Sequence, residues 1–325
     1  MKKLYIHCNI PENEVRRLKK NFSLKIHNAD NKILDERELL TNASGFDGII
    51  SQGNQINEKF LNKNRKILKV ISNVGVGFDN IDINSASRYG IAVLNTPGVL
   101  NYTMADYTIG MLLSLTRRIC EGDNFVRAGK WKGNSWPLFW GSDLFNESLG
   151  IIGMGNIGKE VAKRAITFGV KIFYNNRKKL KEEEEKKLNI KYLEFNDLIT
   201  KCKFIILLCP LNKDSKYLFN KEIFKRMRND SILINVARGK IIKELDLVEA
   251  LKFNHIGGAA LDVFENEPKV NKKLFELKNV ILMPHAGSAT STTRKKMISM
   301  ACQNICEYLL FKDCKNLVNK EILNV

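Results

Sequence analysis

Three polar groups stand at matching points of the sequence, each just after an apolar run. Arg238 lies in Asn235-Val236-Ala237-Arg238-Gly239, Glu267 in Leu261-Asp262-Val263-Phe264-Glu265-Asn266-Glu267-Pro268, and His285 in Met283-Pro284-His285-Ala286-Gly287-Ser288. A guanidinium fork can hold a planar carboxylate and polarise a neighbouring carbonyl. An imidazole titrates near neutrality, and a carboxylate beside it favours its protonated form. Together they suit delivery of a proton to an oxygen that gains negative charge, as when a hydride reaches a 2-oxo carbon. The ordinary alternatives are a structural ion pair for Arg238, a solvated turn carboxylate for Glu267 and a packed ring for His285. For Arg238 and Glu267 these alternatives would prevail in isolation, and the shared position after three strands reverses that; for His285 the catalytic reading is favoured over a packed ring. Of the four histidines, His7, His27 and His255 are read as structural.

A hydride needs a carrier, and Gly153-x-Gly155-x-x-Gly158 lies between a strand-like and a helix-like segment. There the first glycine permits a tight turn, the second admits a pyrophosphate and the third lets helix and strand approach. The motif in isolation is weak evidence, but the full strand, turn, helix, strand context favours a dinucleotide. An acidic residue ending the second strand would accept hydrogen bonds from the adenosine ribose and repel a 2′-phosphate. Asn175 and Asn176 stand there instead, followed by Arg177, Lys178 and Lys179. NADP(H) is therefore favoured and NAD(H) kept as the alternative, because the same basic residues could simply open an exposed helix.

The elements that must position these groups alternate. Leu4–Ile6, Ser23–His27, Gly48–Ile50 and 67–72 read as strands, with amphipathic stretches at 14–21 and 35–40 between them. After the turn cluster Asn95-Thr96-Pro97-Gly98, a long helix is expected over Met104–Thr116. An aromatic loop, 129–141, follows. Strands are then expected at 148–152, 170–174, 204–209, 231–235, 256–261 and 280–283, with helices at 156–168 and 293–311. The fold class is α/β: two Rossmann-like domains, each a parallel sheet flanked by helices. A chain of 325 residues favours two domains. We expect a discontinuous flavodoxin-like substrate domain, 1–98 with 287–325, and a nucleotide-binding domain, 99–286. Glycines in Val74-Gly75-Val76-Gly77 would leave main-chain N–H groups open to a substrate carboxylate, with Val74 and Gly75 as contacts; a plain glycine turn is the alternative.

These segments, with Asn73-Val74-Gly75-Val76-Gly77-Phe78-Asp79-Asn80-Ile81-Asp82, closely resemble the D-isomer-specific 2-hydroxyacid dehydrogenase family over most of the chain. Within it, glyoxylate, hydroxypyruvate and 2-ketogluconate reductases are most alike. The resemblance implies that Arg238 binds the substrate carboxylate and carbonyl, that His285 gives the proton and that Glu267 orients and charges His285. It implies a second substrate loop at Ser51-Gln52-Gly53-Asn54, with Gln52 and Gly53 as contacts, although the commoner pattern has an apolar residue near Gly53. Asp262 is implied as partner of the nicotinamide amide, and Cys209-Pro210 as lining for the adenosine. Expected coenzyme contacts further include Met104, Asn156, Ile157, Ser215, Val236, Ala237, Gly287 and Ser288. A homodimer through the nucleotide domain is implied, with the loop from Trp131 to Trp140 taking part.

Composition narrows the alternatives. Net charge is +18, but the lysines are spread along the chain and no basic cluster is interleaved with stacking aromatics, so nucleic acid is not an expected partner. The charge would instead help anionic coenzyme and substrate approach. Apolar runs are far short of a membrane span, and no membrane role is expected. Seven scattered cysteines, Cys8, Cys120, Cys202, Cys209, Cys302, Cys306 and Cys314, fit reduced thiols in the cytoplasm, and no metal is expected. A nucleotide-sensing corepressor of the same fold is the main alternative, disfavoured by the lack of long disordered tails. Formate dehydrogenases place glutamine where Glu267 stands, whereas phosphite and phosphoglycerate dehydrogenases remain as relatives to weigh.

Overall fold

The computed structural model describes residues 1–27, 33–134, 136–313 and 315–324; Cys314 lies outside them. The described chain divides into two compact units, Met1–Leu100 with Thr290–Val325, and Asn101–Ala289.

In the first unit, β1 (Lys2–His7), α1 (Glu12–Lys19), β2 (Phe22–His27), α2 (Glu36–Asn42), β3 (Gly48–Ser51), α3 (Glu58–Asn64), β4 (Val70–Asn73), α4 (Ile83–Arg88) and β5 (Ala92–Leu94) alternate regularly. The five strands are parallel in the order β2-β1-β3-β4-β5, the flavodoxin-like order. Tyr5, Ile49, Ile71 and Val93 bury one face of the sheet against Phe60 and Leu61 of α3. Local chemistry sets the helix starts: Asp35 and Glu38 form a reciprocal capping box on α2, and Asn57 caps α3. The strand expected from residue 67 begins only at Val70, because Ile67 is still turning out of α3, its N–H bonded to Asn64 O.

The second unit opens with α5 (Asn101–Thr116) and α6 (Ile119–Arg127). Then come β6 (Ser148–Ile152), α7 (Asn156–Ala165), β7 (Lys171–Asn175), α8 (Glu182–Leu188), β8 (Ile190–Tyr192), α9 (Phe195–Lys201), β9 (Phe204–Leu207), α10 (Lys221–Arg226), β10 (Ile232–Asn235), α11 (Glu244–Lys252), β11 (Gly258–Leu261) and β12 (Val280–Leu282). All seven strands are parallel in the order β12-β11-β10-β9-β6-β7-β8, the doubly wound Rossmann arrangement extended by one strand. Buried Ile205, Leu207, Leu233 and Ala259 pack against Phe219, Phe224, Leu247 and Leu251 on one face. The helix expected through Phe168 ends at Ala165 and tightens into a 3-10 turn, which Gly169 closes at φ +75°. The last helix, α12 (Ser291–Phe311), belongs to the first unit, where Ser72 Oγ donates to Ala301 O at 2.8 Å. No helix among the described residues is long and apolar enough to cross a membrane.

Candidate active site

Parallel register brings the carboxyl ends of β10, β11 and β12 level: Asn235 lies opposite Leu261, and Leu261 opposite Leu282. The turns that follow carry Arg238, Asp262 with Glu267, and His285. Sheet order thus gathers residues spread over nearly fifty positions of sequence onto one edge, where ligands of open α/β sheets bind.

His285 Nδ1 and Glu267 Oε2 are 2.8 Å apart. The Glu267 bond and charge raise the His285 pKa above its ordinary value, outweighing burial and the repulsion of Arg238. Burial would push Glu267 up, but His285, the Phe264 N–H at 2.9 Å from Oε1 and Arg238 together hold it below the usual range. Each partner thus favours the charged form of the other. Since Nδ1 is taken by Glu267, the proton His285 can release is on Nε2. The ring remains accessible, with 53% of its side-chain surface exposed.

Several groups shape the turns that carry these residues. Asn235, wholly buried, accepts from Ala237 N and donates to Arg238 O, fixing the Arg238 turn. A Cβ on Gly239 would lie 1.9 Å from Phe264 C, so only glycine lets that turn touch the Glu267 loop. Glu244 and Glu265 brace the loop further. Each accepts the other's main-chain N–H at 3.1 Å, while Glu244 also takes Asn271 N and Glu265 takes the Tyr217 hydroxyl. Asp262 receives Ala286 N and the Tyr107 hydroxyl on Oδ1 and Gly287 N on Oδ2, and its carbonyl accepts His285 N. Asn235, Glu244, Glu265 and Tyr107 do not figure among the sequence-derived candidates. For Tyr107 a signal existed, since it is one helical turn from Met104 on α5.

On the opposite flank of the same sheet, Gly153 leaves β6 at φ +104°, and a Cβ there would sit 2.5 Å from Cys209 N. One on Gly158 would lie 2.6 Å from Gly153 O, whereas Gly155 faces open space. Gly155 also caps α7 without a side chain. Asn156 and Ile157, in the first turn, keep main-chain N–H groups directed out of the helix end, as an anion requires. A crowded turn beneath an open glycine at a helix start fits a dinucleotide pyrophosphate. Asn176 braces this turn, accepting Met154 N at 2.7 Å, and Asn175 donates to Leu193 O. Arg177, Lys178 and Lys179 are exposed, and Lys179 lies over the Tyr192 ring.

The remaining expected contacts divide between open and occupied groups. Met104 is buried against Gly287, whose Cβ would meet its sulfur at 2.6 Å. Val236 is buried, whereas Pro210 is exposed and Ala237 and Ser288 are half-buried. Ser215 is buried, its hydroxyl donating to Pro210 O and accepting from Asn212 N, so it shapes the Pro210 loop from within. Cys209 is half-buried, and burial pushes its thiol up to about 11, which leaves it a poor nucleophile.

In the first unit, Val74 N goes to Ser51 O and Gly75 N to Asn73 O. These are the two amides expected to face a substrate anion, and here they close the loop on itself. The side chains of Asn73 and Asn95 brace the same loop through Gly77 O and Val76 O. Gln52 and Gly53 are exposed, Gly53 at φ +75°. Asn54 beneath them is fully buried. It takes Leu34 N on its oxygen and gives its amide to His7 Nδ1 at 2.7 Å and Ser51 Oγ at 2.9 Å. His7 therefore accepts through Nδ1 and acts as a structural ring.

Known proteins share this arrangement. The D-isomer specific 2-hydroxyacid dehydrogenase NAD-binding domain matches residues 109–287. A glyoxylate reductase of Thermococcus litoralis is 40% identical over 325 residues, covering 99% of this chain and 98% of that protein, and one of Pyrococcus furiosus is 37% identical over 327 residues, covering 99% and 97%. A glyoxylate reductase structure from Paecilomyes thermophila superposes with a TM-score of 0.89 at 28% identity over 98% of this chain and 99% of its own. The NADPH-dependent glyoxylate/hydroxypyruvate reductase of Sinorhizobium meliloti, in complex with NADP and malonate, superposes with a TM-score of 0.85 at 29% identity, covering 98% and 96%. Similarity of this extent, in sequence and in strand order, means that the chain belongs to the D-isomer specific 2-hydroxyacid dehydrogenase family and is an oxidoreductase of small 2-oxo and 2-hydroxy acids that uses a nicotinamide coenzyme.

Proposed function

We propose that this chain reduces a small 2-oxo acid of the glyoxylate or hydroxypyruvate kind to the D-2-hydroxy acid, with NADPH preferred to NADH. The observation that carries the reading is the His285 to Glu267 contact at 2.8 Å, on the sheet edge that also bears Arg238. Reduced nicotinamide, when bound, supplies the hydride. Arg238 holds the substrate carboxylate and draws electron density onto the carbonyl oxygen. His285 gives its Nε2 proton to that oxygen as charge develops, and Glu267, acting through His285, keeps the ring charged beforehand and oriented throughout. Asp262 receives the nicotinamide amide, and the Gly153–Gly158 turn holds the pyrophosphate. The unit 1–98 with 287–325 is the substrate domain in this reading, contributing the Gln52-Gly53 and Val74–Gly77 loops, and 99–286 is the coenzyme domain.

The coenzyme preference rests on the absence of an acidic side chain at Asn175 and Asn176 and on the exposed Arg177 and Lys178. Comparing Michaelis constants for NADPH and NADH tests it, and a clearly lower value for NADH would sink it. A substrate panel of glyoxylate, hydroxypyruvate, 2-ketogluconate, pyruvate and hydroxyphenylpyruvate tests the acid, and turnover of none would undo the assignment. We also propose a homodimer through the coenzyme domain, because Trp131, Trp136 and Trp140 are each more than half exposed there. Light scattering on the wild type and Trp136→Ser checks this: a monomeric wild type rules it out. The reduced-thiol pattern supports a cytoplasmic setting.

A further inference from the structure

Asp262 is buried, at 1% exposure, yet its carboxylate is not fully spent. An ionised carboxylate offers about four lone-pair sites. The Tyr107 hydroxyl (2.8 Å) and Ala286 N–H (2.7 Å) take the two on Oδ1, and Gly287 N–H (2.9 Å) takes one on Oδ2. One site is left, on Oδ2. Gly287 adds no side chain beside that oxygen: a Cβ there would stand 3.1 Å from Oδ2 and 2.6 Å from the Met104 sulfur. The main-chain donors come from the segment that begins at His285, a residue held at φ +51°, a region that side chains other than glycine seldom adopt. Tyr107 is the side-chain donor, and it reaches Asp262 from a different element, α5.

We propose that Tyr107 is a positioning residue for the reaction: through Asp262 it holds the His285–Gly287 turn and leaves the remaining lone pair of Oδ2 as the acceptor for the coenzyme's carboxamide N–H. The inference rests on the coenzyme reading above. Its physical basis is that a donor to a buried charged acceptor is worth more than one in water and favours the ionised form. Burial raises the Asp262 carboxyl above its usual value, against which Ala286, Tyr107, Gly287 and the charge of His285 work. Burial and the Asp262 contact push the Tyr107 phenol well above its usual value, so it remains a donor over the whole working range. The charged groups around the assembly are His285 beside Asp262, with Glu267 and Arg238 beyond it on His285. Removing the hydroxyl strips Asp262 of one of three donors, so its carboxyl takes up a proton at a higher pH. A protonated Asp262 supports neither the charge of His285 nor an incoming N–H as well.

The test is Tyr107→Phe, read in two ways. Calorimetric titration compares the oxidised coenzyme with its 3-acetylpyridine analogue, which has no carboxamide N–H. The wild type is expected to prefer the natural coenzyme, and the variant to lose about tenfold of that preference, the effect of one hydrogen bond to a charged acceptor. The acid limb of the pH profile for oxo-acid reduction is expected to move up by about one unit while the alkaline limb stays, because the donor acts on Asp262 directly. A variant that keeps both the preference and the acid limb, with or without a lower melting temperature, overturns the role of Tyr107. A wild type with no preference overturns the coenzyme reading of Asp262 and this inference with it.

Discussion

The two flanks of the seven-stranded sheet are built by opposite means. The β6-β7-β8 side makes its site from main chain: a glycine at φ +104° that has no room for a side chain, another that faces open space, and a helix end capped by glycine. The β10-β11-β12 side makes its site from ionisable side chains whose turns are braced by Asn235, Glu244, Glu265 and Asp262. In the proposed function the first flank presents a shape to an anion that does not react. The second must hold charge where charge changes, and that takes neighbours that set protonation as well as position.

This difference can be broken most sharply at Arg238. Arg238→Ala is expected to lower kcat/KM for the oxo acid about a thousandfold, the scale of losing a principal electrostatic contact, while coenzyme affinity stays within about twofold by fluorescence titration. A comparable loss of coenzyme affinity would show that the flanks are not separable in function.

Glu267→Gln should cost about a hundredfold in turnover and, more tellingly, move the pH profile. His285 is raised in the folded enzyme, so its proton is retained to a higher pH than on a free imidazole, and reduction falls as pH climbs past that raised value. Without the Glu267 carboxylate, only the charge of Asp262 opposes burial and Arg238, and the alkaline limb moves to lower pH. The stability sign is the same. The His285 contribution is fully present below the unfolded histidine value and is lost as pH rises through the folded one, while that of Glu267 is lost as pH falls through its own lowered value. An alkaline limb that stays put in Glu267→Gln would refute the coupling.

On the other flank the effects should be conformational. Gly153→Ala places a Cβ 2.5 Å from Cys209 N at a positive φ. It is expected to cost about 1–3 kcal/mol of stability, seen as a lower melting temperature, together with coenzyme binding. Gly155→Ala meets nothing within 4 Å. It should leave the melting temperature unchanged and weaken coenzyme binding alone, about tenfold, through loss of close approach to the helix end. Equal melting-temperature losses in the two variants would contradict the division between a crowded and an open glycine.

The same contrast explains what could be read in the sequence. The glycine turn was legible because its backbone tolerates almost nothing else, so spacing encodes geometry. That Arg238, Glu267 and His285 share one sheet edge is legible, because each follows an apolar strand and parallel register levels the strand ends. Their braces were not. Tyr107 is 155 residues from Asp262, and Glu244 is 21 from Glu265 on a helix start that any acidic residue favours. The short strands β5 and β8, three residues each, were missed because so few residues show no period. Ser215 bonds within the Pro210 loop and Asn176 to the turn after Gly153, a use that local sequence does not distinguish from ligand binding.

The most direct measurement of the central claim is oxidation of NADPH with glyoxylate and hydroxypyruvate as acceptors, run side by side on the wild type and His285→Asn, with product 2-hydroxy acid quantified. The account predicts stoichiometric NADPH loss and D-hydroxy acid formation in the wild type and a fall of about 10²–10⁴-fold in the variant, with coenzyme still bound. Reduction that continues undiminished without the His285 imidazole would contradict it.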